Sequence, residues 1–185
     1  MRLIKLKDKT EILKIAIFVE DKYGPGFIRK VIDRLIEDGK IKNRRFEYQR
    51  NSPALIKKCN ESKFRKVKSV VREVDKVLII IDKENIYNYD EDKDIWRHLS
   101  GLKSEDKSKI VVIATGPEIE EWICISYGIA FDKTGYNVKD KPNEVLKRKL
   151  SYKKERLKDF ADKLDFDKLL TKSESFKLFY KSLTT

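Results

Sequence analysis

The sequence predicts an α/β protein: a Rossmann-like three-layer sandwich with a four-stranded, mostly parallel sheet, followed by a basic helical C-terminal tail. Short apolar runs at 15–19, 77–81 and 110–114 support this prediction. Runs that are apolar on both faces are typical of parallel strands covered by helices. Amphipathic helical patterns separate the runs, so that strands and helices alternate along the chain.

The first half of the chain contains two predicted strands and two predicted helices. A strand over 14–20 leads through the Gly24-Pro25-Gly26 turn into a helix over 26–38, whose apolar residues recur at helical spacing. Within 42–50, apolar and polar residues alternate, which predicts a half-exposed second strand. A second amphipathic helix is expected over 62–74.

The second half repeats the alternation. A third strand is predicted over 76–82, followed by a loop rich in Tyr and Asp and a short helix around Trp96. A fourth strand over 109–115 leads into a helix over 117–129. Pro117 stands in the first turn of that helix, where proline is accepted.

Two turns mark the end of the α/β domain. Residues 1–135 are predicted to form this domain, and residues 136–185 a helical extension packed on it. In the extension, one helix is expected over 143–163 and a short one over 175–180.

The composition narrows the function classes. A net charge of +12 on 185 residues favours a polyanionic partner, nucleic acid before an anionic membrane, although a Lys-rich surface that serves solubility alone also explains it. Cys59 and Cys124 are too few for a disulfide framework or a zinc site, and Cys124 lies in an apolar helical pattern. The apolar runs are too short to span a membrane, so we expect a cytoplasmic protein with no membrane partner. The single histidine, His98, argues against a Ser-His-Asp hydrolase.

Carboxylates follow each of the three buried runs. Because the carboxyl ends of parallel strands meet at one edge of a sheet, we expect these acids to converge. Crowded carboxylates repel one another and usually need a divalent cation, although acids at strand ends are also common as solvated loop residues. The acids are Glu20 and Asp21, then Asp82 and Glu84, then Glu118, Glu120 and Glu121.

Three of these segments together resemble the motifs of the Toprim domain, which topoisomerases, primases, recombination proteins and overcoming-lysogenization-defect (OLD) nucleases share. The segments are Val19-Glu20-Asp21, Asp82-Lys83-Glu84 and Pro117 through Glu120-Glu121-Trp122. The sequence is most similar to small stand-alone Toprim-like proteins related to the OLD nucleases. That likeness continues into the tail, at Tyr152-Lys153-Lys154 and Ser175-Phe176.

The chain departs from the family pattern at three positions. Asp21 stands where the family has Gly, Gly24 stands where an acid is often found, and Glu84 replaces the second Asp of Asp-x-Asp. Glutamate is longer by one methylene but still offers oxygen ligands to Mg²⁺.

The resemblance implies a divalent-metal-dependent nuclease, or another phosphodiester-processing enzyme, that acts on DNA or RNA with Mg²⁺ or Mn²⁺ as cofactor. Glu20, Asp82, Glu84 and Glu120 would hold the metal, and Glu20 and Asp82 would be the catalytic residues. The resemblance also allows a separate ATPase as partner, and a homodimer is compatible with it.

Basic residues cluster in two stretches, 40–72 and 147–158, which would bind the phosphates of a nucleic acid without reading its sequence. Four tyrosines could stack on unpaired bases, although a place at the edge of the core or on the surface explains them better. The nucleic-acid-binding candidates are Arg44, Arg45, Lys63, Lys66, Arg148, Lys153 and Lys154, and the tyrosines are Tyr48, Tyr87, Tyr89 and Tyr152.

Two alternatives stay open. A non-catalytic nucleic-acid-binding or scaffold protein could keep a degenerate Toprim fold, since Gly24 and Glu84 depart from the family pattern. A receiver-like signalling domain also has acids after the first strand and an acid after the third, but it needs a fifth strand that presents a lysine.

Overall fold

The computed structural model describes residues 11–42, 44–50, 52–57 and 61–185. Within these ranges the chain forms one sheet of five parallel strands flanked by helices, so the predicted α/β class is confirmed. Cys59 lies outside the described residues. The strands are β1 (Glu11–Val19), β2 (Arg44–Tyr48), β3 (Ala54–Leu55), β4 (Lys76–Asp82) and β5 (Ile110–Thr115).

The helices alternate with these strands and then fill the tail. Short turns of other helical types also occur at Asp92–Trp96 (π-helical), Val138–Asp140 and Lys154–Lys163 (both 3₁₀). The α-helices are α1 (Gly24–Glu37), α2 (Glu61–Val70), α3 (Ser104–Ser108), α4 (Glu121–Tyr127), α5 (Pro142–Leu150), α6 (Phe166–Lys172) and α7 (Glu174–Thr184).

The sheet order is β2-β1-β4-β5, and the short β3 also pairs with β1. β2 pairs with the first half of β1, and β3 pairs with its last two residues, Phe18 and Val19. The prediction of a four-stranded sheet was therefore wrong in the number of strands, because β3 is too short to show an alternating pattern. No strand occurs within residues 116–185, all of which are described, so the fifth strand that a receiver domain requires after β5 is missing there.

Side chains alternate between two cores, one on each face of the sheet. Ile15, Ile17 and Val19 of β1 pack in one core with α1, α4 and the tail helices. Ala16 and Phe18 of the same strand pack in the other core with α2 and the π-helical turn. Because successive side chains of a strand point to opposite faces, the sheet packs against helices on both faces, and the fold has three layers.

The tail belongs to the first of these cores. Phe176 and Phe179 of α7 pack on Trp122 of α4, with ring centroids 5.0 and 5.3 Å away. The expectation of one helix over 143–163 was wrong, because Ser151 adopts a left-handed conformation (φ 50°) that ends α5. Among the described residues, no helix is both long and apolar enough to cross a membrane.

Cys124, as expected, is part of the core and is fully buried. The helix that contains it, α4, begins at Glu121 rather than near Pro117. Residues 116–120 instead form an irregular connection at the carboxyl end of β5. This connection carries Glu118 and Glu120 toward the edge of the sheet.

Candidate functional site

Glu20 and Asp82 lie next to each other at the carboxyl edge of the sheet. Glu20 follows β1, and Asp82 ends β4, the parallel neighbour of β1. The Glu20 backbone N–H donates to the Ile80 carbonyl at 2.9 Å, which continues the pairing past the end of β1. In return, Glu20 Oε2 accepts a hydrogen bond from the Asp82 backbone N–H at 3.2 Å. The two acids are therefore positioned by the sheet itself.

The Asp82 carboxylate is oriented by β5 and the connection after it. Its Oδ1 accepts hydrogen bonds from the Thr115 hydroxyl and the Ile119 backbone N–H, both at 2.9 Å. Burial raises the pKa of Asp82 well above its usual value, and the nearby Glu120, Glu118 and Glu20 carboxylates raise it further. The Thr115 hydroxyl, at the end of β5, thus fixes one candidate metal ligand.

Glu120 is fully buried directly before α4. Its Oε1 accepts a hydrogen bond from the Tyr152 hydroxyl at 2.9 Å and lies 3.9 Å from the Lys154 ammonium. Its Oε2 is buried and has no hydrogen-bond partner in the described part of the chain. Burial raises the pKa of Glu120 to about 7, although the Lys154 charge acts to lower it.

Lys154 reaches into this cluster from the tail. Its ammonium lies 2.7 Å from Asp21 Oδ2 as well as 3.9 Å from Glu120. Although burial acts to lower it, the pKa of Lys154 is raised by the Glu120 and Asp21 carboxylates. The sequence placed Lys154 among the nucleic-acid contacts, whereas here it is half-buried and is an internal counter-ion of the acids.

Asp21, which follows Glu20, stabilises the turn that leads into α1. It is 7 % exposed, and its Oδ1 accepts hydrogen bonds from the backbone N–H groups of Tyr23 and Gly24 at 2.7 and 3.1 Å. A side chain at Gly24 would overlap that of Val19. The acid that is often found at this position in the Toprim family therefore has no room here, and Asp21 caps the turn instead.

The remaining acids make other contacts. Glu84 is exposed in a loop, at φ 57°, with its backbone N–H bonded to the Pro117 carbonyl at 2.8 Å. Glu118 Oε2 accepts a hydrogen bond from the Asn143 backbone N–H at 3.1 Å. Glu121 accepts a hydrogen bond from the Ser175 hydroxyl, so it anchors α7. In the described ranges, no three His, Cys, Asp or Glu side chains are grouped as a ready-made metal site.

The predicted nucleic-acid contacts are spread over the molecule. Arg44 lies at the opposite edge of the sheet, where it bonds Glu11 Oε2 at 2.6 Å and the Leu183 carbonyl at 2.9 Å. Arg148 forms an ion pair with Asp140 at 2.9 Å. The others apart from Lys154 are exposed: Arg45 on β2, Lys63 and Lys66 on α2, and Lys153 before the 3₁₀ turn.

Comparison of the chain with protein-family models, with characterised proteins and with solved structures finds no match. The Toprim resemblance thus stays a prediction from its motifs. The carboxylate oxygens at this edge of the sheet are the type of ligand that Mg²⁺ and Mn²⁺ prefer. A cation bound there would supply the partner that the buried Oε2 of Glu120 lacks among the described residues. The ligands would have to draw together to hold it.

Proposed function

We propose that this protein is a divalent-metal-dependent nuclease, or another phosphodiester-processing enzyme, that acts on DNA or RNA. The proposal depends above all on Glu20 and Asp82, which are in direct hydrogen-bond contact at the carboxyl ends of adjacent parallel strands. In parallel sheets, this edge is where ligands bind. Carboxylate oxygens are the ligands that Mg²⁺ and Mn²⁺ prefer.

The buried Glu120 oxygen gives further support. An unpaired polar atom in the interior costs on the order of 1–3 kcal/mol, and Glu120 Oε2 is such an atom within the described chain. Mg²⁺ or Mn²⁺ would be held by Glu20, Asp82 and Glu120, and Glu84 would join them if its loop turned inward. When bound, the metal would neutralise a phosphodiester and lower the pKa of a water molecule.

The chain's own groups position these acids before any substrate arrives. The Thr115 hydroxyl and the Ile119 N–H hold one oxygen of Asp82, and the Asp82 N–H holds one oxygen of Glu20. Such preorganisation accounts for most of the catalysis in phosphoryl transfer. Exposed Lys63 and Lys66 on α2 would add phosphate contacts that supply affinity without sequence preference.

A cleavage assay tests this proposal. Chelator-treated protein is incubated with labelled single- and double-stranded DNA and with RNA, alone and with added Mg²⁺ or Mn²⁺. We expect cleavage only with metal, and a loss of about a hundredfold or more in Glu20→Gln and Asp82→Asn, because each removes a metal ligand. Glu105→Gln, which changes an exposed acid before β5, at the other edge of the sheet, is the matched control and should cleave normally. Cleavage that persists in both site variants would contradict the proposed site.

A second candidate function is a nucleic-acid-binding or scaffold protein without catalysis. The observation that favours it is Lys154, whose ammonium already neutralises Asp21 and Glu120 in place of a metal. Under this alternative, the protein binds labelled DNA or RNA equally well in chelator and in Mn²⁺, and leaves it intact. The same assay, read by fluorescence anisotropy before cleavage is scored, separates the two functions.

A further inference from the structure

A cleft of about 380 Å³ opens beside Glu20, between the carboxyl end of β4 and the π-helical turn. The sequence singles out three of its lining residues, Glu20, Glu84 and Tyr89, as candidate site residues but does not place them in one cleft. Its size falls within the range of small-molecule sites. It is lined by Glu20, Lys83, Glu84, Asn85, Asn88, Tyr89, Asp94, Arg97 and His98.

Lys83 and Arg97 give this cleft two cations. Neither forms an ion pair within the described ranges, and the Lys83 ammonium lies 5.8 Å from the centre of the Tyr89 ring. Lys154 and Arg148, by contrast, are each held by a carboxylate 2.7 to 2.9 Å away. The two cleft cations are thus available to an incoming anion, and phosphate is the anion that Arg and Lys bind best in nucleic-acid proteins.

Two rings line the same cleft. His98 stacks on Phe64, with ring centroids 4.8 Å apart and planes 22° apart, and Phe64 is fully buried in the core. The imidazole is therefore held in place by packing. Tyr89 is also half-buried, with its hydroxyl 3.3 Å from Glu91 Oε2. Aromatic rings held in this way are the usual surfaces on which unpaired bases stack.

The charges of the cleft further narrow the class of ligand that it can bind. Carboxylates of Glu20, Glu84 and Asp94 line it together with the cations, which disfavours a bare phosphate ion. A nucleotide suits the mixture, because its phosphate would meet Lys83 and Arg97 while the amino and imino groups of its base would donate to carboxylate or amide oxygens. A nucleotide is also a ligand of suitable size for this volume.

We propose that this cleft binds one nucleotide unit, with its phosphate against Lys83 and Arg97 and its base beside His98 and Tyr89. Since Glu20 lines both the cleft and the proposed metal site, the bound unit would be the one next to the scissile phosphate. The inference rests on the proposed function in that the nucleotide belongs to a nucleic-acid substrate. A free mononucleotide has the same chemistry, so a mononucleotide and oligonucleotides are both needed as probes.

The single histidine of the chain makes the cleft directly observable. Its imidazole Hε1 proton gives one resolved NMR signal, which reports on the cleft alone. Chelator-treated protein is titrated with thymidine 5′-monophosphate and, separately, with a single-stranded oligothymidylate and the matching oligouridylate. We expect the His98 signal to shift with saturation. A stronger response to the oligonucleotides than to the mononucleotide identifies a strand as the natural ligand, and the reverse identifies a free nucleotide.

Variants test the cations. Arg97→Gln and Lys83→Gln should each weaken the binding of the preferred probe by about tenfold, the loss expected for one charged hydrogen bond. Lys181→Gln is the matched control, because Lys181 is exposed on α7 near Ser182, whose carbonyl binds Lys76 at the opposite end of β4. This control should bind as the unchanged protein does. Circular dichroism of each variant verifies that it is folded.

The outcomes separate this inference from the proposed function. If the His98 signal does not move although a probe binds, or if no probe binds, the cleft assignment is wrong. Metal-dependent cleavage that is lost in Asp82→Asn but unchanged in Arg97→Gln and Lys83→Gln would also reject the cleft, while the proposed function would stand. A saturable His98 shift that both cleft variants weaken, in a protein that cleaves nothing, would keep the cleft and reject the nuclease.

Discussion

The carboxyl edge of the sheet has two sides that stabilise their acids in different ways. On the tail side, which comprises Asp21, Glu120, Tyr152 and Lys154, the acids are buried and an ammonium group from the tail lies between them. On the cleft side, which comprises Glu20, Asp82 and the cleft beside Glu20, the carboxylates accept hydrogen bonds from backbone N–H groups and the Thr115 hydroxyl.

The difference shows what each side can do. A buried carboxylate needs a counter-charge, a proton or hydrogen-bond donors, and a lysine that supplies the charge also occupies the space of a competing cation. Backbone N–H and hydroxyl donors orient a carboxylate without placing a cation of their own where a metal would bind. We therefore expect metal binding to centre on the cleft side and the tail side to govern stability, with Glu120 contributing to both.

The largest expected effect on stability comes from Glu120 on the tail side, and it depends on pH. Its pKa is raised from its usual 4.5 to about 7, so the folded state holds this proton more tightly than the unfolded state. The stability that protonated Glu120 contributes to the folded state is fully present below pH 4.5 and is lost as the pH rises through about 7. The free energy of unfolding should therefore fall, relative to Glu120→Gln, by about 3 kcal/mol over this range.

Urea denaturation in chelator at several pH values measures this difference. Glu105→Gln serves as the control, since it removes an exposed carboxylate and should follow the unchanged protein at every pH. If the free energy of unfolding of Glu120→Gln changes with pH as that of the unchanged protein does, Glu120 ionises normally. The burial of this carboxylate would then not destabilise the tail side at neutral pH.

A smaller effect is expected at Gly135, which supports the loop of the cleft side. A Cβ at this position would collide with the Glu84 carbonyl oxygen and lie 2.7 Å from Pro117 Cβ, and the backbone is left-handed there (φ 71°). Gly128 has a similar φ of 67° but no atom near its missing Cβ. Gly135→Ala should therefore cost about 2 kcal/mol more than Gly128→Ala, because only the first adds a steric clash.

Differential scanning calorimetry of the two alanine variants checks this prediction. His98 provides a second measurement, since movement of the Glu84 loop should alter its NMR signal in Gly135→Ala and leave it unchanged in Gly128→Ala. Equal stabilities for the two variants would show that the loop does not pack against Gly135 as described.

The smallest expected effect on stability comes from Lys154→Gln. The side chain of Lys154 is 38 % exposed, and Glu120 can take up a proton when the ammonium is removed. We expect a loss of about 1 kcal/mol, well below that of a fully buried ion pair. Mn²⁺ affinity, measured by isothermal titration calorimetry, should rise severalfold, because the competing internal cation is gone. An unchanged or weaker Mn²⁺ affinity would show that Lys154 does not compete with the metal and that Glu120 is not one of its ligands.

The fold was largely predictable, because the buried strands are short continuous apolar runs and the helices between them have a clear period. The break at Ser151 was not, since serine carries no strong signal for the left-handed conformation that it adopts (φ 50°). β3 was missed because it pairs through only two residues, Ala54 and Leu55, too few for any pattern.

Only the part of the candidate site that lies at the ends of the strands was predictable from the sequence. Register places Glu20 beside Asp82, as parallel strands that end in acids imply. Lys154, by contrast, reaches Asp21 from 133 positions away in the sequence, as one of several lysines in a basic tail. Nothing in its local sequence distinguishes it from exposed Lys153. Such contacts depend on how the tail packs, which periodicity does not encode.

The proposed function depends on a divalent cation bound by Glu20 and Asp82. Anomalous X-ray diffraction from crystals grown with Mn²⁺ locates such a cation, because the anomalous signal comes from the metal itself. We expect a peak in contact with the carboxylates of both residues, and its loss in Asp82→Asn. Diffraction that shows no Mn²⁺ at this edge of the sheet, with the Lys154 ammonium alone among the acids, would rule out this metal site.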